Sequence, residues 1–310
     1  MRIPSDDYDL GSYYTFSQYD HEIINNHRRD YNRLGFAVQL ALLRFPGWHL
    51  SDYKMIPNFL LNYIAKQVGA QADDFSLYTQ RETTRWEHIE EIRQIYGYQN
   101  FTNREKQIIS QIMLEYALEN GNAEYLLRTT IDELRKQKII LPAITTLERV
   151  VWEVRQSAEE RILTLLTTSL TPEQTGELDN LLSIMPGSSK TYLAWLREIP
   201  GNCSPDAFLA VSKKLVFLRN LQLQIDTKGV HPNRLRQLSK VGARYEPHSF
   251  RRFDNTKKYA VMVAYLIDLI AELIDLAFDI HDRQIMLLLS KGRKSQEELQ
   301  NKNGKSINEK

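Results

Sequence analysis

The chain has 310 residues with 42% hydrophobic and 25% charged side chains, the balance of an ordinary water-facing globular protein of two or three domains. A single cysteine, Cys203, excludes an internal disulfide and any cysteine-cluster metal site, which fits a reducing cytoplasm. The net charge of +1 hides an asymmetry: residues 201–310 hold 19 Lys and Arg against 12 Asp and Glu, an excess of +7. Acids at the N-terminus, MRIPSDDYDLG, stand where a signal peptide needs a basic and then an apolar run.

In chain order, Ser17-Gln18-Tyr19-Asp20 reads as a helix start, with a serine cap and acids in the first turn. The pattern predicts one helix from there to about Arg44, stopped by Pro46-Gly47. Its centre, RRDYNRLGFAVQLALLRFPG, is apolar on most of its circumference, which marks a buried helix. Arg28, Arg29 and Arg33 precede that apolar section and Arg44 follows it.

A helix over 57–68 leads into Ala65-Lys66-Gln67-Val68-Gly69. Its small residue and its glycine, four apart, suit a helix-turn-helix corner. The next helical pattern runs from Tyr78 to Tyr98. Arg81, Thr84, Arg85, His88 and Arg93 fall on one side of it, and Trp86, Ile89, Ile92, Ile95 and Tyr96 on or near the other. This is the candidate reading helix. Several glutamates sit on the same segment, so a surface ion pair such as Arg85 with Glu82 or Glu91 is the plainer role for each arginine.

A capping box at Thr102–Glu105 opens a second helical unit, interrupted by Asn120-Gly121 and by Pro142, with Leu147, Val150, Val151 and Val154 directed inward. Further starts at Thr171-Pro172 and Ser204-Pro205 predict helices over 173–184, 188–198 and 206–223. Between Lys228 and Lys258, nine Lys or Arg face only Glu246 and Asp254. Such a block favours a polyanionic partner and equally fits a solvated loop.

The last long pattern, 255–290, carries Asp268, Glu272, Asp275, Asp279 and Asp282 on one stripe. Each carboxylate would cost about 3 kcal/mol at a bilayer centre on insertion scales, which excludes a membrane span. The helix is apolar on three sides and needs covering, and its acidic stripe should face solvent or meet arginines. Asp279, His281 and Asp282 do not make a metal cluster, because positions 279 and 281 point to nearly opposite sides of a helix. No P-loop, nucleophile elbow or dinucleotide fingerprint occurs. Alternation with a period of two is absent beyond a few residues, so the fold class is all-α.

Five motifs then occur in one order: RRDYNRLGFAVQLALLRFPG, IAKQVG, YTQRETTRWEHIEEIR, LRKQKIILPAITTLERVVWEVRQSAEER and FRRFDNTKKYAVMVAYLIDLIAELIDLAFDIHDR. Together they resemble the N-terminal region of transposases of the Tn-three family of replicative transposons, over about residues 14 to 305. The resemblance implies a helical module that binds double-stranded DNA at the terminal inverted repeats. It also implies that recombination uses an Asp-Asp-Glu domain with two divalent cations, lying beyond this chain. No triad residue and no cofactor is carried over, and the chain by itself is expected not to be an enzyme. It reads as a truncated transposase, bacterial and cytoplasmic, associated with the nucleoid when bound to DNA.

Four segments are expected. The first, 1–98, is a helix-turn-helix-like unit, followed by a second DNA-binding unit over 99–170. A helical connector over 171–252 ends in the basic segment, and a long scaffold helix occupies 253–310. The expected DNA contacts are Arg28, Arg29, Arg33, Arg81, Thr84, Arg85 and His88 in the first unit, with Arg244, Arg251, Arg252, Lys257 and Lys258 gripping phosphates. The alternative is a self-association module that pairs with itself or with a full-length transposase and acts as an inhibitor or an inactive remnant.

Overall fold

In the computed structural model, residues 6–223 and 227–308 are described, the last nine of them by backbone alone. The order is α1 (Asp7–Tyr14), α2 (Gln18–Asn25), α3 (Asp30–Arg44), α4 (Asn58–Val68), α5 (Phe75–Thr79), α6 (Glu82–Tyr96), α7 (Asn103–Glu119), α8 (Ala123–Lys136) and α9 (Ile144–Thr167). It continues with α10 (Pro172–Asn180), α11 (Tyr192–Arg197), α12 (Pro205–Asn220), α13 (Pro232–Arg244), α14 (Pro247–Phe250) and α15 (Asn255–Asn308). Among the described residues there is no strand, only isolated bridges, so the all-α expectation holds.

Two compact units form, one from residues 1–117 and 121–157, the other from 118–120 and 158–310. The expected boundary at 98 is crossed by main-chain bonds. Gln99 N–H donates to Lys138 O at 2.9 Å, and Ile140 N–H donates to Gln99 O at 2.8 Å. Leu141 N–H reaches Gly47 O at 2.9 Å, and the Trp48 indole donates to Pro142 O at 2.8 Å. Residues 99–117 and 121–157 thus fold with the first segment.

The first unit is built around α3. Every residue from Leu34 to Leu43 is buried, and α1, α2, α4, α5 and α6 all pack on it. Burying one such leucine contributes about 1.5–3 kcal/mol, so this helix alone supplies much of the unit's driving force. The single helix expected from Ser17 to Arg44 is broken at Asn26–Arg29. The two asparagines Asn25 and Asn26 favour a helix end. The His27 ring turns onto Phe36 at 4.5 Å, and the chain restarts with Asp30 in the first turn of α3.

The cap expected at Ser17 is present in both directions, and Asp20 does more than cap. Its carboxylate, 1% exposed, accepts from Ser17 N–H and Ser17 Oγ, both at 2.8 Å. It also accepts from both Arg44 terminal nitrogens, at 2.8 and 2.5 Å, and from Tyr96 Oη at 2.9 Å. One acid therefore ties the start of α2 to the ends of α3 and α6. Burial alone would raise its pKa, but the bonds from Arg44, Ser17 and Tyr96 outweigh it and hold the carboxyl well below the usual range.

The corner after α4 is left-handed at Gly69, as expected, with φ of 66°. Beyond the corner the chain forms a 3-10 turn at Ala72–Asp74 and the five-residue α5 in place of a full second helix. The anticipated helix-turn-helix shape does not form there, and the Tyr78–Tyr98 pattern divides at Gln80–Arg81. Ile109, Met113, Leu126, Leu134, Leu147, Val150, Val151 and Val154 are buried along α7, α8 and α9.

In the second unit, α10, α12 and α13 pack on α15, in whose first turns Ala260 to Leu266 are all buried. Helix α13 lies inside the segment expected to be a basic connector. Gly242 sits where any Cβ would lie 2.6 Å from Tyr265 Cβ, so the two helices approach closely. Of the acidic stripe, Asp268 accepts from Ser239 Oγ of α13 at 2.7 Å; Glu272, Asp275, Asp279 and Asp282 face solvent.

The Asp20 linkage has a definite sign. A depressed folded-state pKa contributes stability above the ordinary carboxylate range, which is lost as pH falls through and below that range. Asp20→Ala should cost about 3–5 kcal/mol at pH 7 by leaving Arg44 uncompensated. In urea unfolding followed by circular dichroism, the gap from the parent should begin to narrow as pH is lowered towards 3 and close only below the folded-state pKa. A gap independent of pH would show that packing, not the carboxylate, carries the effect.

Candidate nucleic-acid interface

The residues expected to meet DNA in the first unit separate into three groups. Arg28 and Arg29 stand exposed in the α2–α3 connection, and Arg81 stands exposed at the cap position of α6. Arg29 and Arg81, far apart in sequence, meet on one ring. The Arg29 guanidinium lies 5.7 Å from the centre of Tyr31 and also donates to its hydroxyl, and Arg81 lies 5.1 Å from the same ring. Cations over an aromatic face gain about 0.5–1 kcal/mol at exposed sites, enough to orient them. Tyr31 was not singled out from sequence; its position two residues after Arg29 was the available signal.

The second group is half-buried. Arg33 pairs with Asp30 at 2.8 Å, Thr84 lies at the rim, and Arg85 lies with its Nε buried. The Arg85 main-chain carbonyl accepts from Gln39 Nε2 at 3.1 Å.

The third group is His88 alone, and it must be withdrawn as a DNA contact. It is 4% exposed, and its Nδ1 lies 3.0 Å from Tyr78 Oη. Gln39 Nε2 donates to the same hydroxyl, and the His27 ring packs tilted against His88 with centroids 4.5 Å apart. Burial first, and the His27 charge second, push the His88 pKa down to about 4, so the ring is neutral at pH 7. Because Tyr78 and the aromatic rings satisfy it inside, His88 takes a core position that its polarity seemed to forbid. Helix α6 is correspondingly turned. Trp86 and Ile95, expected on or near the side opposite the arginines, are exposed, and the outer face carries Glu82, Glu87 and Glu90. Arg93 pairs with Glu90. Helix α6 carries Glu82 in its first turn and Arg93 in its last, so it does not present an unbroken cationic row along its length.

In the second unit, two of the expected phosphate contacts are engaged elsewhere. Lys257 pairs with Glu159 at 3.1 Å and lies over Phe253. Lys258, with a side chain 12% exposed, pairs with Asp179 at 2.7 Å and lies over Tyr259. Burial alone would lower the Lys258 pKa, but the Asp179 bond raises it. Both lysines fasten α15 to its neighbours, Lys257 remaining part-exposed and Lys258 largely covered. Arg244, Arg251 and Arg252 are exposed and enter no ion pair among the described residues. Arg244 ends a row with Arg236 and Lys240 on α13 that sequence reasoning missed. The signal was present in Pro232 at the first helical position and in Arg236, Lys240 and Arg244 four apart.

Comparison with known proteins gives these cations a setting. Residues 1–154 match a family described as a domain of unknown function, DUF4158. The whole chain is 49% identical to the transposase of transposon Tn1546 from Enterococcus faecium, covering 100% of this chain and 32% of that protein. It is 32% identical to the transposase of Tn501 from Pseudomonas aeruginosa, covering 100% and 32%. It is 34% identical to that of Tn3926 from Escherichia coli, covering 100% and 31%. These relatives are transposases of the Tn-three family. The chain spans about a third of the length of these relatives, matching their N-terminal part, and the family's catalytic part lies outside it. Among the described residues, no helix is long and apolar enough to cross a membrane.

The family segment RLGFAVQ contains a glycine whose role is packing. A Cβ at Gly35 would lie 2.3 Å from the Tyr78 ring. Gly35→Ala must displace Tyr78, and with it the bonds to His88 and Gln39 that seat the first turn of α6. The expected loss is about 1–3 kcal/mol, the usual range for overpacking, measured by thermal unfolding. An unchanged melting temperature would mean that Tyr78 has room to move.

Proposed function

We propose that this chain is the part of a Tn-three family transposase that binds double-stranded DNA at the transposon's terminal inverted repeats. The observation that carries the reading is the convergence of Arg29 and Arg81 on Tyr31, with Arg28 next to Arg29 in the chain. Guanidinium groups held by an aromatic ring on a packed core are pre-oriented for the acceptor edge of guanine or for a phosphate. Arg28 and Arg33, one exposed and one paired with Asp30, suit phosphate contacts that set register. Thr84 and Arg85 at the rim extend the same surface. Strand cleavage and joining belong to the family's Asp-Asp-Glu domain with its two divalent cations, and no residue of this chain is assigned to them.

The test is binding of the chain to an inverted-repeat duplex and to a scrambled duplex of equal length. The Arg29→Ala/Arg81→Ala variant should lose about 1–3 kcal/mol per base-reading contact on the repeat and little on the scrambled duplex. Equal loss on both would make the pair phosphate contacts; no loss on either would remove the first unit from the interface.

A second reading, self-association through α15, is favoured by one observation. Ile285, Met286, Leu287, Leu288 and Leu289 are all exposed, which leaves apolar surface around the whole circumference of the helix. A second copy of the chain would cover it, and a mixed assembly with a full-length transposase would be inactive. Sedimentation should then show a dimer that Leu288→Lys/Leu289→Lys converts to monomer; a parent chain monomeric at all concentrations would rule this out.

A further inference from the structure

Helix α13 contains no acidic residue, in a protein with almost equal numbers of acids and bases. Its inner side is committed to α15: Leu235, Leu238 and Val241 join the core, Gly242 abuts Tyr265, and Ser239 bonds Asp268. Its C-terminal end is fixed by Arg197, which donates to the carbonyls of Gly242 and Tyr245 and lies 5.3 Å from the Tyr265 ring. The outward side is left to Arg236, Lys240 and Arg244, a row inclined to the helix axis that rises about 12 Å at about 1.5 Å per residue. Arg251 and Arg252 are exposed shortly after it.

The same unit neutralises other lysines. Lys190 pairs with Glu198, Lys257 with Glu159 and Lys258 with Asp179, while Lys214 is buried against the carbonyls of Leu196 and Glu198. None of the three cations in the row enters an ion pair among the described residues. A row of unpaired cations on a rigid, acid-free helix face concentrates positive potential instead of dispersing it.

We propose that the outward face of α13, formed by Arg236, Lys240 and Arg244 and continued by Arg251 and Arg252, grips the phosphate backbone of duplex DNA without reading its sequence. The inference rests on the DNA-binding reading above and adds a second, chemically different contact to it. Sequence indifference follows from the composition of the row. It is purely cationic, and the one amide set between its members, Gln237, accepts from Arg234 Nη1 at 2.8 Å. Phosphate contacts of this kind release counterions and so set the salt dependence of binding.

The experiment measures binding of the full chain to repeat and scrambled duplexes between low and moderate salt. It compares the parent, Arg236→Gln/Lys240→Gln/Arg244→Gln and Arg29→Ala/Arg81→Ala. The three row residues are exposed, so an unchanged thermal transition is expected and is checked first. The row variant should weaken binding to both duplexes by the same factor, roughly 10- to 100-fold near physiological salt, and make the logarithmic salt slope shallower by about 3. The Arg29/Arg81 variant should instead lose preference for the repeat.

Binding with an unchanged affinity and slope in the row variant would overturn this inference while leaving the DNA-binding reading intact. Absence of binding by the parent to either duplex would overturn both. A loss confined to the repeat would also overturn it, because the row would then be reading bases. Vesicles containing phosphatidylserine form the last arm: binding to them that depends on the row, with DNA binding untouched, would reassign the face to a membrane surface.

Discussion

A carboxylate that is 1% exposed can remain charged only where several donors replace its water, and Asp20 has them. The bonds from Ser17, Arg44 and Tyr96 reach across three helices, so the cost of desolvation is offset only when α2, α3 and α6 are all in place. One buried ion pair thereby ties the C-terminal ends of α3 and α6 together. The convergence of Arg29 and Arg81 on Tyr31 lies at the opposite ends of those two helices, where each begins. Gln39 and Tyr78 hold the middle, through the Arg85 carbonyl and His88. The exposed cations are therefore positioned by a buried polar framework, and the framework has little tolerance for a missing partner.

Sorting the basic side chains by what they touch separates construction from recognition better than counting charge does. Arg44 neutralises Asp20, and Arg135 donates to Pro46 O at 2.7 Å and lies 4.6 Å from Phe45. Arg197 closes the end of α13, and Lys214 closes the end of α11. These groups bond carbonyls or carboxylates of their own unit and have little left for a partner. Arg28, Arg236, Lys240, Arg244, Arg251 and Arg252 are exposed and in no ion pair among the described residues. Net charge near zero thus coexists with local surfaces suited to a polyanion, because the acids are spent on α6, on the outer stripe of α15 and in internal pairs.

Much of the fold was legible from local rules. The caps at Ser17, Thr171 and Ser204, the left-handed corner at Gly69 and the break at Pro142 appear where hydrogen-bonding geometry demands them. The buried character of α3 follows from an apolar run with no polar stripe. Features that depend on long-range partners escaped. The helix break at His27 exists because its ring packs on Phe36 and His88, which periodicity cannot register. His88 and Trp86 exchanged their expected places because Tyr78, ten residues before the histidine, supplies an internal bond for the polar ring. Lys257 and Lys258 looked like free cations until Glu159 and Asp179 came beside them through tertiary contact.

Helix α15 joins two physical regimes in one element. Up to Leu273 it is a core helix, covered on its apolar sides and bonded to α13 through Asp268. Beyond Ile280 the cover ends while the apolar sequence continues, and the side chains of Phe278 and of Ile285 to Leu289 meet solvent. The acidic stripe explains why this is tolerable as a helix. Glu272, Asp275, Asp279 and Asp282 keep one side hydrated along its length and exclude the bilayer as an alternative cover. An exposed apolar surface next to a charged seam is the composition of a helix that pairs in water. The stripe also restricts the manner of pairing, since two copies meeting stripe to stripe would repel. Alongside residues 272–282, a second helix would have to approach from the apolar side, turned away from the carboxylates.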